Sequence, residues 1–358
     1  MSVIMVASKI AIAQTIETMK GPTAPYQLQV GGHPKDIAVN TATNKIYILN
    51  PEDGTVTVLD SKSGTVKSIP VGLGSPILPC AYCIGVDYMN NKIYVANEDS
   101  DTVSVIDGND DTVKKTIPVG SNPSFILVTT YPKSGKIPTG HIAYTVTSQT
   151  CCKIYVANND HFGTISVIDG TNDTVEKTIR AGTYPAFIAE PTYHLYDEIY
   201  VASSDYFLVY TYNGTLIKMK HLPYERISAR GMYINDTRAY VLPSSDTQNA
   251  YSIKLPIADN STIEHIPIKT LLYRLLSLKP YDAPTVLPRL YLPTMVADFY
   301  PNFTKIIDKI YALNSGNATV SVFSKYCTHY AHERRYHCTR IQMYIPVGQH
   351  PDPIAIND

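Results

Sequence analysis

Short stretches that alternate β-branched or aromatic residues with polar ones recur along the whole chain of 358 residues. Each stretch is closed by Asn, Asp or Gly, the residue types that favour turns. A period of two is the pattern of a strand, whereas a helix repeats its apolar positions every three or four residues. The pattern therefore predicts an all-β protein of many short strands joined by turns.

The strands occur in a repeated order. Residues 92–97 read KIYVAN, 102–107 read TVSVID and 112–120 read TVKKTIPVG, and close copies of this series begin at Lys45 and Lys153. A short apolar strand opens each unit, such as IAVN at 37–40. Four antiparallel strands at a period of about 40–45 residues correspond to one blade of a β-propeller.

The repeats predict one seven-bladed β-propeller domain that spans residues 1–358. Six blades are predicted at residues 34–72, 76–120, 123–182, 185–222, 226–269 and 293–348. The seventh combines 350–358 with 2–31, because HPDPIAIN at 350–357 repeats the opening strand HPKDIAVN at 33–40. Closure through the two ends would remove unpaired strand edges.

The first thirteen residues have two interpretations. They are apolar and end in a small-x-small pattern before Gln14, as a signal peptide does. They also lack a basic start, and Lys9 interrupts the apolar stretch. The strand interpretation is favoured because the closing blade needs its middle strands.

The repeated motifs KIYVAN, TVSVID and TIPVG resemble those of the YVTN β-propeller repeat family. The resemblance covers essentially the whole chain, and its motifs are specific in the first three blades and weaker in the fourth to sixth. It implies the propeller fold and a cell-surface or secreted setting. The family supplies no shared catalytic residue, and a fold does not determine a function.

The composition of the chain argues against several classes of function. The formal net charge is −1 and 17% of residues are charged, so no basic face for nucleic acid is expected. The chain has no Trp and no CxxCH haem motif, which disfavours WD40-type and quinone- or haem-dependent propellers. Apolar runs of roughly 18–20 residues, the length of a membrane span, do not occur. We expect a monomer without a cofactor, whose partner is a protein or a glycan.

The six cysteines stand close together in pairs: Cys80 and Cys83, Cys151 and Cys152, and Cys327 and Cys338. We predict a disulfide between Cys327 and Cys338 at the base of a hairpin, which would stabilise by about 2–3 kcal/mol. The pairing of the other four is left open, since adjacent cysteines in a strand face opposite sides.

Six Asn-x-Ser/Thr sequons permit glycosylation in a secreted protein, at Asn172, Asn213, Asn235, Asn260, Asn302 and Asn317. In a chain rich in Asn and Thr, roughly half that number would arise by chance. Sequons and paired cysteines favour an extracellular or cell-surface location, and a cytoplasmic one stays open.

The loop that contains the last two cysteines also carries His329, His332 and His337. Cys and neutral His are good zinc or copper ligands, so these residues are the candidates for a metal site. Their spacing matches no established zinc module, and the disulfide interpretation is preferred to the metal one.

The opening strands end in oxygen-bearing residues: Asn40, Asp87, Thr129, Glu190, Asp298 and Asn357. These could ring one mouth of the central channel as a cation site. Asp and Asn are also the usual turn residues after a strand, which is the favoured interpretation.

Insertions at 73–83, 132–150 and 270–292 depart from the repeat, and specialised function is expected there. The leucine-rich 270–292 insertion is interpreted as a cap on the propeller or as a partner-binding lid. The leading functional hypothesis is a non-enzymatic binding or scaffold surface, since no nucleophile–base constellation or phosphate-binding loop is present. The alternative is a propeller enzyme, of the lactonase, lyase or oxidoreductase kind, with its site at the channel mouth.

Overall fold

A computed structural model describes residues 27–29, 34–40, 42–60, 63, 65–74, 83–129, 152–190, 198–223, 229–234, 237–243, 249–258, 261–267, 296–297, 305–314, 319–330, 335–339 and 354–357. For 27–29 and for the strands from 296 onward, only the backbone course and pairing are described. Within these ranges, no helix has the length and apolar character needed to cross a membrane.

Five four-stranded antiparallel sheets follow one another along the chain. After β1 (Gln27–Gln29), the first sheet contains β2 (Asp36–Asn40), β3 (Lys45–Asn50), β4 (Thr55–Asp60) and β5 (Val66–Pro70). The second contains β6 (Ile84–Asp87), β7 (Lys92–Asn97), β8 (Thr102–Asp107) and β9 (Thr112–Pro118). The third contains β10 (Pro123–Val128), β11 (Lys153–Asn158), β12 (Thr164–Asp169) and β13 (Thr174–Arg180).

The fourth sheet contains β14 (Phe187–Ala189), β15 (Glu198–Ala202), β16 (Tyr206–Thr211) and β17 (Leu216–His221). The fifth contains β18 (Ala229–Ile234), β19 (Arg238–Pro243), β20 (Asn249–Lys254) and β21 (Ile263–Pro267). In every sheet each strand pairs with the next one in sequence, as expected for a propeller blade. The all-β prediction is confirmed, and the sheets are consistent with a β-propeller.

The last sheet is built from both ends of the chain. It has the order β1, β24 (Thr319–Tyr330), β23 (Lys305–Asn314), β26 (Ile354–Asn357) and β22 (Val296–Ala297), and β25 (Arg335–Thr339) pairs with β24. The C-terminal strand pairs antiparallel with β23, and the N-terminal strand pairs with β24.

This arrangement differs from the predicted closing blade. The prediction joined 350–358 directly to 2–31 in a seventh blade, whereas β23 and β24 stand between the two terminal strands. The C-terminal strand β26 pairs along one edge of the hairpin β23–β24, and β1 and β25 share the other edge. Residues 2–26 and 340–353 lie outside the described residues, and the count of seven blades is not confirmed.

The core lies between the sheets. In β7, every residue after Lys92 is buried, and the inner strand β6 is buried throughout. In the outer strand β9 only Ile117 is buried. The middle strands of the second sheet are buried on both faces because the first and third sheets pack against it on either side. The alternation of apolar and polar residues therefore locates the strands correctly. It does not indicate that one face of the second strand is exposed to solvent, because both faces are buried.

Aromatic residues join the third and fourth sheets. Phe125 of β10 and Phe187 of β14 are both buried, and their ring centroids lie 5.5 Å apart in an edge-to-face arrangement at 65°. Such pairs contribute beyond the apolar area that they bury. The inner strands of the third and fourth sheets are thus joined by aromatic packing.

Candidate functional site

The connections between strands fall into two groups, because successive strands of each sheet run in opposite directions. We call the ends of the first and third strands the turn face, which in the second sheet comprises 88–91 and 108–111. We call the opposite ends the link face, which there comprises 98–101 and the link 119–122 to the next sheet.

On the turn face, a Lys and a Tyr of one sheet hold an Asp of the next sheet, a contact that we call the clasp. Nζ of Lys92 lies 2.8 Å from Oδ2 of Asp173, and the hydroxyl of Tyr94 donates to Oδ1 at 2.7 Å. Nζ of Lys92 also donates to the carbonyl oxygen of Gly170 at 2.8 Å. The clasp joins β7 to the turn between β12 and β13.

The same clasp joins the first sheet to the second. Nζ of Lys45 lies 2.8 Å from Oδ2 of Asp111, and the hydroxyl of Tyr47 donates to Oδ1 at 3.2 Å. Nζ of Lys45 donates to the carbonyl oxygen of Gly108 at 2.7 Å. The Lys-x-Tyr spacing of the repeat is therefore explained by contacts between sheets.

Burial makes the clasp tyrosines very weak acids. Desolvation is the main cause that raises the pKa of Tyr94 far above its usual range, followed by its hydrogen bond to Asp173. Burial likewise raises the pKa values of Tyr47 and Tyr155, and it raises the pKa of Tyr210 to about 12. These hydroxyls act as hydrogen-bond donors over the whole physiological range.

Removing one clasp carboxylate should destabilise the protein measurably. We expect Asp173→Ala to lower the free energy of unfolding by about 2 kcal/mol, because Lys92 and Tyr94 lose their shared, largely buried acceptor. Chemical denaturation monitored by tyrosine fluorescence measures this. Asp110→Ala is the matched control, since Asp110 pairs with Lys114 on the exposed surface. Equal destabilisation by the two substitutions would contradict the clasp's role.

The buried tyrosines also predict how stability depends on pH. A tyrosine of raised pKa keeps its proton in the folded state, while the same tyrosine in the unfolded chain loses it above about pH 10. Stability is thus unaffected below that pH and falls as the pH rises further. We expect Tyr94→Phe to make this decline shallower by about 1.4 kcal/mol per pH unit. Denaturation curves between pH 8 and 11 measure the slope, and a variant with the wild-type slope would contradict the prediction.

The clasp is altered after the third sheet. Lys153 pairs with Glu176 of its own sheet at 2.5 Å, while the hydroxyl of Tyr155 donates to the carbonyl oxygen of Tyr212 at 2.7 Å. Glu198 stands where the earlier repeats have Lys, and it accepts the hydroxyl of Tyr200 in the same strand. The repeat sequence weakens from the fourth sheet, which is the sheet that the altered contact of Tyr155 reaches.

The link face has its own repeated contact. Nδ2 of Asn97 donates to the hydroxyls of Thr102 at 3.0 Å and Ser104 at 2.9 Å, and Oδ1 accepts the backbone N–H of Gly72 at 3.1 Å. A Cβ on Gly72 would lie 2.6 Å from Cγ of Asn97. The closing Gly of the repeat is therefore required by the Asn of the following sheet.

Two of the residues predicted at the channel mouth form hydrogen bonds within the turns that follow their own strands. Oδ1 of Asn40 accepts the backbone N–H groups of Ala42 and Thr43 at 3.1 and 3.3 Å. Oδ1 of Asp87 accepts those of Met89 and Asn90 at 3.0 and 3.1 Å. These are the contacts expected of turn residues after a strand.

The remaining mouth positions do not extend this set into a ring. The hydroxyl of Thr129 donates to the carbonyl oxygen of Lys153 at 2.9 Å, and Glu190 accepts the hydroxyl of Tyr212 at 2.8 Å. Asp298 lies outside the described residues, and only the backbone of Asn357 is described. Within the described part of the chain, no cluster of three or more His, Cys, Asp or Glu could hold a metal ion.

An aromatic cluster on the link face was not predicted from the sequence. His161 contacts Phe162 and Tyr184, with ring centroids 5.5 and 6.0 Å away. Phe162 is 82% exposed and Tyr184 is 43% exposed. We call these three residues the aromatic patch. A sequence difference between repeats could have indicated this patch. The third repeat has Asp-His-Phe at 160–162, where the second repeat has acidic and hydroxyl residues.

The aromatic patch stands on a well-defined turn between the third and fourth sheets. The carbonyl oxygen of Asp160 accepts the backbone N–H groups of Gly163 at 3.2 Å and Tyr184 at 2.9 Å. The carbonyl oxygen of Gly163 accepts the backbone N–H of Ala181 at 2.8 Å. The two segments that carry the aromatic rings are thus hydrogen-bonded to one another.

The candidate disulfide residues occupy facing positions. The register of β24 and β25 places Cys327 directly opposite Cys338. Neither Cys83 nor Cys152 is a free thiol. Sγ of Cys152 lies 3.2 Å from Oδ1 of Asp87, and Sγ of Cys83 lies 3.4 Å from the carbonyl oxygen of Ser124. Cys80 and Cys151 lie outside the described residues.

Two of the candidate metal ligands lie on the hairpin of β24 and β25. In its register, His337 is opposite Thr328, and His329 is opposite Tyr336. His332 lies outside the described residues, as do most of the insertion at 73–83 and all of those at 132–150 and 270–292.

Two of the six sequons are described, and both are exposed on the turn face. Oδ1 of Asn172 accepts the backbone N–H of Thr174 at 3.1 Å and its hydroxyl at 2.5 Å. Asp110 makes the same contacts with Thr112 in the preceding sheet, so the turn alone accounts for this geometry. Asn213 lies in the equivalent turn of the fourth sheet. Asn235, Asn260, Asn302 and Asn317 lie outside the described residues, and glycosylation stays a prediction.

No protein-family model matches the chain, and the search of curated proteins gave no match. Among solved structures, the chain is similar to hydrazine synthase of Kuenenia stuttgartiensis, with a TM-score of 0.49 and 18% identity over 70% of each chain. It is similar to the dihydro-heme d1 dehydrogenase NirN, with a TM-score of 0.48 and 10% identity over 65% of this chain and 47% of that one. A streptogramin B lyase gives a TM-score of 0.44 and 14% identity over 65% and 67%. These identities attach none of the named activities to the chain.

Proposed function

We propose that this chain is a non-enzymatic propeller of the YVTN type, located on the cell surface or secreted, that binds a protein or glycan partner through one of its loop faces. The observation that carries the proposal is the use of the repeat's polar side chains. Asp111, Asp173 and Asn97 hold neighbouring sheets together, and Asn40 and Asp87 hold their own turns.

A channel-mouth enzyme needs groups that converge on one reacting atom. The described mouth residues Asn40, Asp87, Thr129 and Glu190 each have a hydrogen-bond partner in the scaffold. Scaffold contacts of this kind support a role in which the repeats form a frame and the recognition elements are added to it. The aromatic patch is one such element, since folding does not require its exposure.

The extracellular setting is supported by the cysteines. The facing register of Cys327 and Cys338 favours a disulfide across the hairpin, and Cys83 and Cys152 are not free thiols. Structural disulfides persist in oxidising compartments. The exposed sequons Asn172 and Asn213 are accessible to a glycosyltransferase in such a compartment.

Cell fractionation combined with mass spectrometry of the purified protein tests the proposal. We expect the protein in the envelope fraction or the medium, with Cys327 and Cys338 linked in one peptide pair. A cytosolic protein with reduced cysteines would contradict the extracellular assignment. Metal analysis of the same sample addresses the enzyme alternative: stoichiometric metal that is lost in an Asp87→Asn or His329→Ala variant would favour it.

A further inference from the structure

The aromatic patch carries an inference about the chemistry of the partner. We propose that His161, Phe162 and Tyr184 dock a basic segment of a partner protein, which places an Arg or Lys side chain against the ring of Phe162. This inference rests on the binding role proposed above and specifies the surface and the kind of partner.

Exposure of the patch has no explanation in folding. Phe162 is 82% exposed at the tip of its turn, and a large aromatic ring in that position gains nothing for the fold. Phe and Tyr are residue types that concentrate binding energy at protein interfaces. An exposed group of aromatic rings on one face of a protein marks an interaction site.

The patch is also held in place before any partner arrives. The turn at 160–163 and the link at 181–186 share backbone hydrogen bonds through Asp160, Gly163 and Tyr184. The hydroxyl of Thr183 donates to the carboxylate of Asp205, which ties the link to the fourth sheet. Because the rings are already positioned, binding loses less conformational entropy than it would with a mobile loop.

The charges around the patch select a cation. The patch lies on the link face, which in the second to fourth sheets comprises the connections 98–101, 119–122, 159–163, 181–186 and 203–205. These connections contain the acidic residues Glu98, which is buried, and Asp99, Asp101, Asp160 and Asp205. They contain no Lys or Arg, and Arg180 stands directly before the connection 181–186. Oδ1 of Asp160 is buried and accepts no hydrogen bond from the described residues.

On the turn face, by contrast, several carboxylates are paired with lysines. Asp111 and Asp173 are paired with Lys45 and Lys92, and Asp110 is paired with Lys114. A cation beside an aromatic ring is attracted by the ring's negative face, and the surrounding carboxylates add long-range attraction. Arg and Lys side chains are attracted both by the aromatic ring and by the carboxylates. A neutral sugar can stack on the ring but is not attracted by the carboxylates' charge.

Panning a random 12-residue peptide library on the immobilised full chain tests the proposal. Counter-selection on the Phe162→Ala variant isolates peptides that need the patch. We expect these peptides to be enriched in Arg and Lys. For the best of them, Phe162→Ala should weaken binding about 30-fold. Because Phe162 is 82% exposed, thermal melting should show that the variant folds normally.

Two controls separate patch-specific binding from general stickiness. Met89→Ala removes a 55% exposed apolar side chain from the turn face and should leave peptide affinity within about twofold. Raising the salt concentration from 0.05 to 0.5 M should weaken binding at least about tenfold, since the attraction is electrostatic. Selected peptides without basic enrichment, or binding that is indifferent to Phe162→Ala, would overturn the inference.

A glycan array probed with the same two proteins provides the second arm. Glycan binding that depends on Phe162, without any patch-dependent peptide, would replace the basic partner by a carbohydrate and leave the binding role intact. Catalytic turnover at the channel mouth would instead contradict the proposed function without bearing on the patch. The two failures are therefore distinguishable.

Discussion

Replacing Gly163 by Ala should lower the free energy of unfolding by about 3–5 kcal/mol. Gly163 has a φ of +31°, and a Cβ at this position would lie 1.7 Å from the carbonyl oxygen of Gly182. The carbonyl belongs to backbone, so no side-chain rotation relieves the overlap. The turn at 160–163 and the link at 181–186 must move apart, with loss of the hydrogen bond from Ala181 N–H to Gly163. Denaturant unfolding of the purified variant measures the change.

The neighbouring residue supplies the control. Phe162→Ala alters the same turn but removes only an exposed ring, and its unfolding midpoint should match that of the wild type. A Gly163→Ala protein of unchanged stability would show that the turn and the link are not in contact. The variant should also lose peptide binding if the aromatic patch depends on this support.

Truncating Phe125 to Ala should cost about 3–5 kcal/mol, the range for removing a fully buried aromatic ring. Phe125 is buried, and it packs edge-to-face on Phe187 at the junction of the third and fourth sheets. The described strands β10 and β14 belong to different sheets and do not pair with one another, so no strand pairing between them compensates for the cavity. Thermal and urea unfolding of the variant give the value.

A conservative change at the same site separates lost volume from lost geometry. Phe125→Leu keeps most of the apolar volume and should cost about 1–1.5 kcal/mol. A similar loss from Met219→Ala, which truncates an exposed side chain of the outer strand β17, would contradict the assignment of the core to the sheet junctions.

The strands and turns of the first three sheets could be predicted from the sequence because their information is local. KIYVAN at 92–97 forms β7, TVSVID at 102–107 forms β8, and the Asp107 and Asn91 turns lie where turn chemistry placed them. The turn interpretation of Asn40 and Asp87 also holds, since a side chain that follows a strand reaches its own backbone first.

The clasp could not be predicted, because it depends on how consecutive sheets pack. Lys92 and Asp173 are 81 residues apart, and nothing in either segment alone indicates the partner. The aromatic patch was missed for a similar reason. Phe162 and Tyr184 come from different connections, and only the packed sheets bring both to His161.

The pairing of the last strand could not be predicted from the sequence. The similarity of 350–357 to 33–40 predicts a strand there, and β26 forms at Ile354–Asn357. The sequence does not indicate which hairpin that strand joins, because an opening strand fits the edge of any second strand in the array. Backbone pairing with β23 at Lys309–Asn357 and Tyr311–Ala355 decides it.

The clasps have a direction, and this gives the molecule unequal resistance to local opening. Lys45 reaches forward to Asp111 and Lys92 reaches forward to Asp173, whereas Lys153 and Arg238 pair within their own sheets. Amide protons in the first three sheets should therefore exchange together, as one cooperative unit, and those of the fourth and fifth sheets earlier. Within the part of the chain that the structure describes, a protease acting on the native protein should therefore cut the fourth and fifth sheets before the first three, on the far side of the junction that Phe125 and Phe187 hold.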